Sequence, residues 1–154
     1  MKVLIITWEN FQDQEVVYPY YRIREEVSEN DVIIMANVTG RFHGIMGVNM
    51  EAHALLSELD NDDKYNEYLN KFDLLVLPGG VKSLEKLRQE KTVIKFISDW
   101  DKKNKIIAST CHGAQLLISA KATTGKKISA YYSIEDDVNN SGATYVNAPV
   151  VIDQ

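Results

Sequence analysis

The apolar positions of the chain keep two alternating rhythms. "KVLIIT" (residues 2–7) is a short branched run of the kind found in strands whose sheet is covered on both faces. In "FQDQEVVYPYYRIREEVS" (11–28), Val16, Tyr20, Ile23 and Val27 recur at steps of four, three and four. That spacing predicts one face of an amphipathic helix, with Asp13 placed as its N-cap. Pro19 offers no N–H to the carbonyl of Glu15, so a local kink is expected near Glu15. "DVIIMA" reads as a second strand, and "GRFHGIMGVNM" as a glycine-punctuated hairpin or loop. A polar stretch, "ELDNDDKYNEYLN", precedes "FDLLVLPGG", a buried strand ending in a turn. "TVIKFISDWDKK" puts Val93, Phe96, Ile97 and Trp100 on one helical stripe, "KIIAS" follows as a strand, and "CHGAQLLISAK" opens a helix. The remainder predicts a short strand, a helix ending near Ser141 and Gly142, and one or two final strands. Strands alternating with helices imply an α/β fold, a parallel sheet with helices on both faces.

Composition narrows the function classes. A chain of 154 residues, 45% hydrophobic and without repeat, low-complexity tract or linker, is the size of one domain with a real core, so a single domain over 1–154 is expected. The net charge of -5, with lysines scattered among acids, argues against nucleic-acid binding, which needs clustered positive charge. No apolar stretch approaches the roughly 20 residues of a membrane span, and "MKVLIIT" runs into polar residues without a cleavable signal pattern; a cytoplasmic protein is expected. One cysteine excludes an intramolecular disulfide and cysteine-pair metal sites. No metal and no organic cofactor is expected.

That cysteine, Cys111 in "ASTCHGAQLL", lies between a predicted strand and a predicted helix, with Ser109 and Gly113 two places to either side. This is the spacing of a nucleophile elbow, a tight turn that only small neighbours permit and that lifts the central side chain above the sheet. At a helix N-terminus the thiol pKa is expected below its usual value of about 8.5. The competing reading is a small buried hydrophobe. The adjacent His112 favours function, as a group that stabilises a thiolate or exchanges protons. "LPGG" ends the preceding strand in a turn with open backbone N–H groups, and an N–H from Gly80 with that of His112 would make an oxyanion hole. Glu15, near the first strand's carboxyl end, is a candidate general acid or base beside the sulfur.

Taken together, "PGG", "ASTCHGAQLLISA", the acid at position 15 and "KKISAYYSIEDDVNNSGATYVNAPVVID" resemble the DJ-one/ThiJ/PfpI superfamily, in its PfpI-type branch, over nearly the whole chain. The resemblance implies a flavodoxin-like three-layer sandwich related to class I glutamine amidotransferase domains. In it the elbow cysteine, here Cys111, meets a helix-borne glutamate, here Glu15, and the protein forms a homodimer or larger homo-oligomer. His112 matches the histidine after the nucleophile, which an acid from a neighbouring subunit can complete. Glu85 in "PGGVKSLEKLR" is nearest to that acid but displaced by one residue. His43 in "FHG" also matches a family position, and His53 belongs to no motif. The chain stops at "VVIDQ", where family members continue with a further strand and a terminal helix.

The resemblance implies a cysteine-dependent enzyme that acts without a cofactor on small electrophilic carbonyls, as a glyoxalase or deglycase would, or on peptides or isonitriles. Small carbonyls suit a tight elbow better than peptides do. The alternative is a redox-responsive or chaperone-like stress protein whose Cys111 is oxidised without turnover. A glutamine amidotransferase is disfavoured, because no histidine follows His112.

Overall fold

The computed structural model describes residues 1–153. Its strands and helices, in chain order, are β1 (Val3–Ile6), α1 (Asp13–Arg24), β2 (Val32–Ala36), β3 (Gly40–His43), β4 (Asn49–Ala52), β5 (Ala54–Leu55), α2 (Asp62–Lys71), β6 (Leu74–Leu77), α3 (Val81–Leu87), α4 (Lys91–Lys102), β7 (Ile106–Ser109), α5 (Ala114–Ser119), β8 (Lys127–Ile128), α6 (Glu135–Asn140) and β9 (Thr144–Tyr145). Five of the strands form a central sheet in the order β5-β2-β1-β6-β7, and every pair in it is parallel.

β1 is wholly buried, and its side chains alternate between two cores. Leu4 and Ile6 join Leu75 and Leu77 of β6 under α2, α3, α4 and α5, where Trp100 and Phe96 are the largest fully buried side chains. Val3 and Ile5 face the other way, onto Val16 and Tyr20 of α1 and onto Phe42 and Met50 of the β3–β4 hairpin. Three layers result: helices, sheet, then helix with hairpin. A small third core joins Ala114, Ile128, Ile134 and Val138 at the C-terminal end of the fold. From β1 the chain builds outward to β2 and β5, then returns to place β6 on the other side of β1. Ligand crevices of open α/β sheets form at such a reversal, beyond the carboxyl ends of the strands.

Several sequence expectations change in detail. α1 runs unbroken from Asp13 to Arg24 with Pro19 inside it. Asp13 is not its N-cap; Gln12 holds that position without a side-chain cap, and Asp13 is the first helical residue. The buried Asp13 carboxylate turns instead to the hairpin and accepts the N–H groups of Met46 and Val48, each at 2.8 Å. Gly44 leaves room for it, since a Cβ there would stand 2.5 Å from the carboxylate carbon. The polar stretch before β6 contains α2, which buries Tyr65, Tyr68 and Leu69 on one stripe. Asn61 caps it by accepting the Lys64 N–H. α3 and the two-residue β5 were likewise not read from the sequence.

Asp13 thus ties the hairpin to the start of α1. Asp13→Ala leaves two N–H groups without their acceptor; because Met46 and Val48 are exposed, water can reach them, and a loss of about 1 kcal/mol per bond is expected. Urea denaturation is expected to show that loss, with faster hydrogen exchange at Met46 and Val48 than elsewhere in the hairpin.

Candidate active site

β7 ends at Ser109, and Thr110 continues it with an N–H bond to the Leu77 carbonyl at 3.2 Å. Cys111 then takes φ 54°, a left-handed conformation that a non-glycine residue rarely adopts. The turn is closed by the Gly113 N–H on the Thr110 carbonyl at 2.7 Å. Gly113 is required there, because a Cβ would overlap the Leu77 carbonyl. The elbow expected from the small residues around Cys111 is therefore present as backbone geometry. Cys111–Gly113 form a 3-10 turn, and α5 proper begins only at Ala114.

Glu15 arrives from the first turn of α1. Its Oε2 accepts the Gly79 N–H at 2.8 Å and the Thr110 hydroxyl at 2.6 Å, which joins α1, the turn after β6 and the end of β7 at one carboxylate. Gly79 lies between acid and nucleophile. A Cβ on it would come within 2.7 Å of Glu15 Oε2 and 2.8 Å of Cys111 Cβ. His112 Nδ1 is 3.3 Å from Cys111 Sγ. Gly80, with φ 109°, starts α3 against the backbone of Phe11 and Gln12.

The thiol does not behave as its place before a helix suggests. Burial and the Glu15 carboxylate beside it push the Cys111 thiol up to about 11, and the His112 N–H, donating to the sulfur, offsets only part of this. The expected lowering fails for a local reason. The chain passes through a 3-10 turn before a six-residue helix, so the helix end adds little positive potential at the sulfur, whereas burial and the charge of the nearby carboxylate both act against the thiolate.

The other candidates lie apart. Glu85 is exposed on α3 and makes no ion pair or hydrogen bond to His112 among the described residues. His43 is at the end of β3, with Nδ1 3.8 Å from Glu9 Oε1. His53 serves the sheet: its Nδ1 accepts the Ile34 N–H at 3.0 Å, and its ring stacks on Tyr20. Burial lowers its pKa. Gly79 and Thr110 were missed by sequence reasoning. The first lay within the quoted "PGG" and the second beside the cysteine, but their bonds to Glu15 span 64 and 95 residues of chain. Among the described residues, no three His, Cys, Asp or Glu side chains gather to hold a metal ion, and no helix is long and apolar enough to cross a membrane.

The same elbow and glutamate accompany a match to a known family. The family model described as DJ-1/PfpI matches residues 1–154. The chain belongs to the DJ-1/PfpI family. A relative in Thermococcus kodakarensis, named Deglycase TK1284, is 37% identical over 153 residues, which are 99% of this chain and 86% of the relative. Protein/nucleic acid deglycase 2 of Escherichia coli is 31% identical over 153 residues, 99% of this chain and 84% of that protein. In structure the chain is similar to Schizosaccharomyces pombe DJ-1, with a TM-score of 0.79 at 20% identity, over 99% of this chain and 79% of that one. The flavodoxin-like sandwich expected from the motifs is the fold observed.

Two results are expected of this DJ-1/PfpI site. Alkylation of the single thiol, read by intact mass against pH, should have its midpoint at about 11, and Glu15→Gln should lower it, because the charge that disfavours thiolate is gone. A midpoint unmoved by the substitution would place Glu15 out of contact with the sulfur. Gly113→Ala should lower the melting temperature by several degrees, since its Cβ would overlap the Leu77 carbonyl.

Proposed function

We propose that this protein is a deglycase-type enzyme in which Cys111 attacks small α-oxoaldehydes, such as methylglyoxal, and their adducts with amines or thiols. The observation that carries this reading is the Glu15 carboxylate, held by the Gly79 N–H and the Thr110 hydroxyl beside a cysteine on a strained elbow. A base and a nucleophile are thereby set together at the sheet's crevice. The names of the Thermococcus kodakarensis and Escherichia coli relatives, both deglycases, support the same class.

With the thiol up at about 11, little standing thiolate exists at neutral pH, so attack is coupled to proton removal. Sγ bonds to the aldehyde carbon while the thiol proton passes to Glu15. The carbonyl electron pair moves to oxygen, which takes up a proton to give a hemithioacetal. In an amine adduct the same carbon carries nitrogen. That C–N bond breaks, its electron pair stays with the amine, and the thiol proton reaches the amine by way of Glu15 or His112. The hydrogen left on the attacked carbon then moves as a proton to the neighbouring oxo carbon, which yields a thioester. Water hydrolyses the thioester to a 2-hydroxy acid and frees Cys111; no external oxidant or reductant takes part. The Gly80 N–H, and the His112 N–H once sulfur is bonded to carbon, are the donors for the oxygen that becomes negative. Oxidation of Cys111 without turnover would need the standing thiolate that this environment disfavours.

Formation of the 2-hydroxy acid from methylglyoxal, followed by NMR, is expected to vanish in Cys111→Ala. In Glu15→Gln it should fall about 100-fold, within the range for loss of a general base, even as the thiol becomes easier to ionise. Turnover that survives in Cys111→Ala would overturn the proposal. Turnover that rises in Glu15→Gln would leave Glu15 as an electrostatic burden on the thiol and no base.

A further inference from the structure

Both hydrogen bonds that hold the Glu15 carboxylate fall on one oxygen. The Gly79 N–H reaches Oε2 at 2.8 Å and the Thr110 hydroxyl reaches the same atom at 2.6 Å, while no N–H or hydroxyl donates to Oε1 among the described residues. A carboxylate oxygen has two in-plane lone pairs, so Oε2 is filled. Oε1 is the oxygen with room for a proton.

The hydroxyl of Thr110 is not spent as its sequence position suggests. Thr110 is the N-cap of the Cys111–Gly113 turn, where a threonine side chain ordinarily accepts one of the free N–H groups that follow. It makes no such bond and donates instead to a carboxylate 95 residues away. Burial does not force this choice, because Thr110 is exposed. Its backbone is fixed on both sides, with the N–H on the Leu77 carbonyl at 3.2 Å and the carbonyl accepting the Gly113 N–H at 2.7 Å. The backbone is extended, at φ -124° and ψ 151°, and the branched side chain is stiff about χ1. The donor therefore keeps one position relative to Cys111, its neighbour in the chain.

We propose that Thr110 is a positioning residue of the reaction: its hydroxyl stops the Glu15 carboxylate from rotating and makes Oε1 the atom that takes the Cys111 proton. This rests on the deglycase reading and assigns its first proton transfer to one oxygen. A glutamate carboxylate turns easily about its last bond, and the Gly79 N–H alone would act as a pivot. The second bond, from the end of a different strand, removes that freedom. In the step itself the S–H bond breaks and an Oε1–H bond forms as Sγ joins the aldehyde carbon, whose carbonyl electron pair moves to oxygen. Oε2 keeps both donors throughout.

Thr110→Val removes the hydroxyl and keeps the branched shape that suits extended backbone. For methylglyoxal, kcat is expected to fall about tenfold with KM within about twofold, since the hydroxyl orients the base and leaves the substrate alone. Thr110→Ser, which restores the donor, should return kcat to within about threefold of wild type. In a Glu15→Gln background Thr110→Val should cost nothing further, because the hydroxyl acts only through that carboxylate. Infrared difference spectra against Glu15→Gln isolate the Glu15 carboxylate without any substrate. Its two stretching bands should draw together in Thr110→Val, as the hydrogen bonding of its oxygens becomes less unequal. An unchanged kcat, a loss that persists in the Glu15→Gln background, or carboxylate bands that do not move would each overturn the role of Thr110. Failure of the reading beneath it looks different: turnover that survives in Cys111→Ala removes the deglycase, while the carboxylate bands still decide whether Thr110 holds Glu15.

Discussion

The Glu15 carboxylate holds the site together. One oxygen takes an N–H from the turn after β6 and a hydroxyl from the residue after β7, and the helix that carries it packs on the opposite side of the sheet from α5. Two glycines make this convergence possible for the same steric reason. Gly79 leaves the gap between acid and sulfur open, and Gly113 lets α5 begin against the Leu77 carbonyl. Behind them, the buried strands β1 and β6 set the spacing at which α1 and the elbow approach each other.

This arrangement gives the sulfur an unusual electrostatic setting. A cysteine made reactive by a lowered pKa is also exposed to oxidants, because the thiolate is the oxidisable form. Here burial and a neighbouring carboxylate push the sulfur toward the thiol form, and in the proposed reaction the same carboxylate takes the thiol proton. The arrangement requires the carboxylate to stay close, and the bonds from Gly79 and Thr110, with Asp13 pinning the hairpin to the same helix, maintain that distance.

Much of the fold was legible wherever burial leaves a short-range signature. The stripe of Val93, Phe96, Ile97 and Trp100 marked α4, and unbroken apolar runs marked β1, β2 and β6. α2 was not legible because its apolar stripe of Tyr65, Tyr68 and Leu69 is set among Asn and Asp, poor helix formers that leave it weak until a core is there to receive it. β5 has two residues and exists only through its pairing with β2. Asp13 looked like a cap because its sequence position allows one; the hairpin, 33 and 35 residues further along, claimed the carboxylate instead.

For the site, the small residues around Cys111 already specified an elbow, since only a backbone without side-chain crowding can turn at φ 54° between a strand and a helix. The residue types also named Glu15 and His112 as partners, and the motifs pointed to the DJ-1/PfpI family. The state of the sulfur was decided elsewhere. Whether a thiol is held up or down depends on what stands next to it and how much water it keeps. For Cys111 the neighbouring charge is Glu15, brought from 96 positions away in the sequence, a distance over which local pattern carries no information. The sequence alone thus determined the strongly patterned elements and the elbow around Cys111, through periodicity and sterics that act over a few neighbours. Tertiary packing determined the electrostatics, because charge and burial act through space.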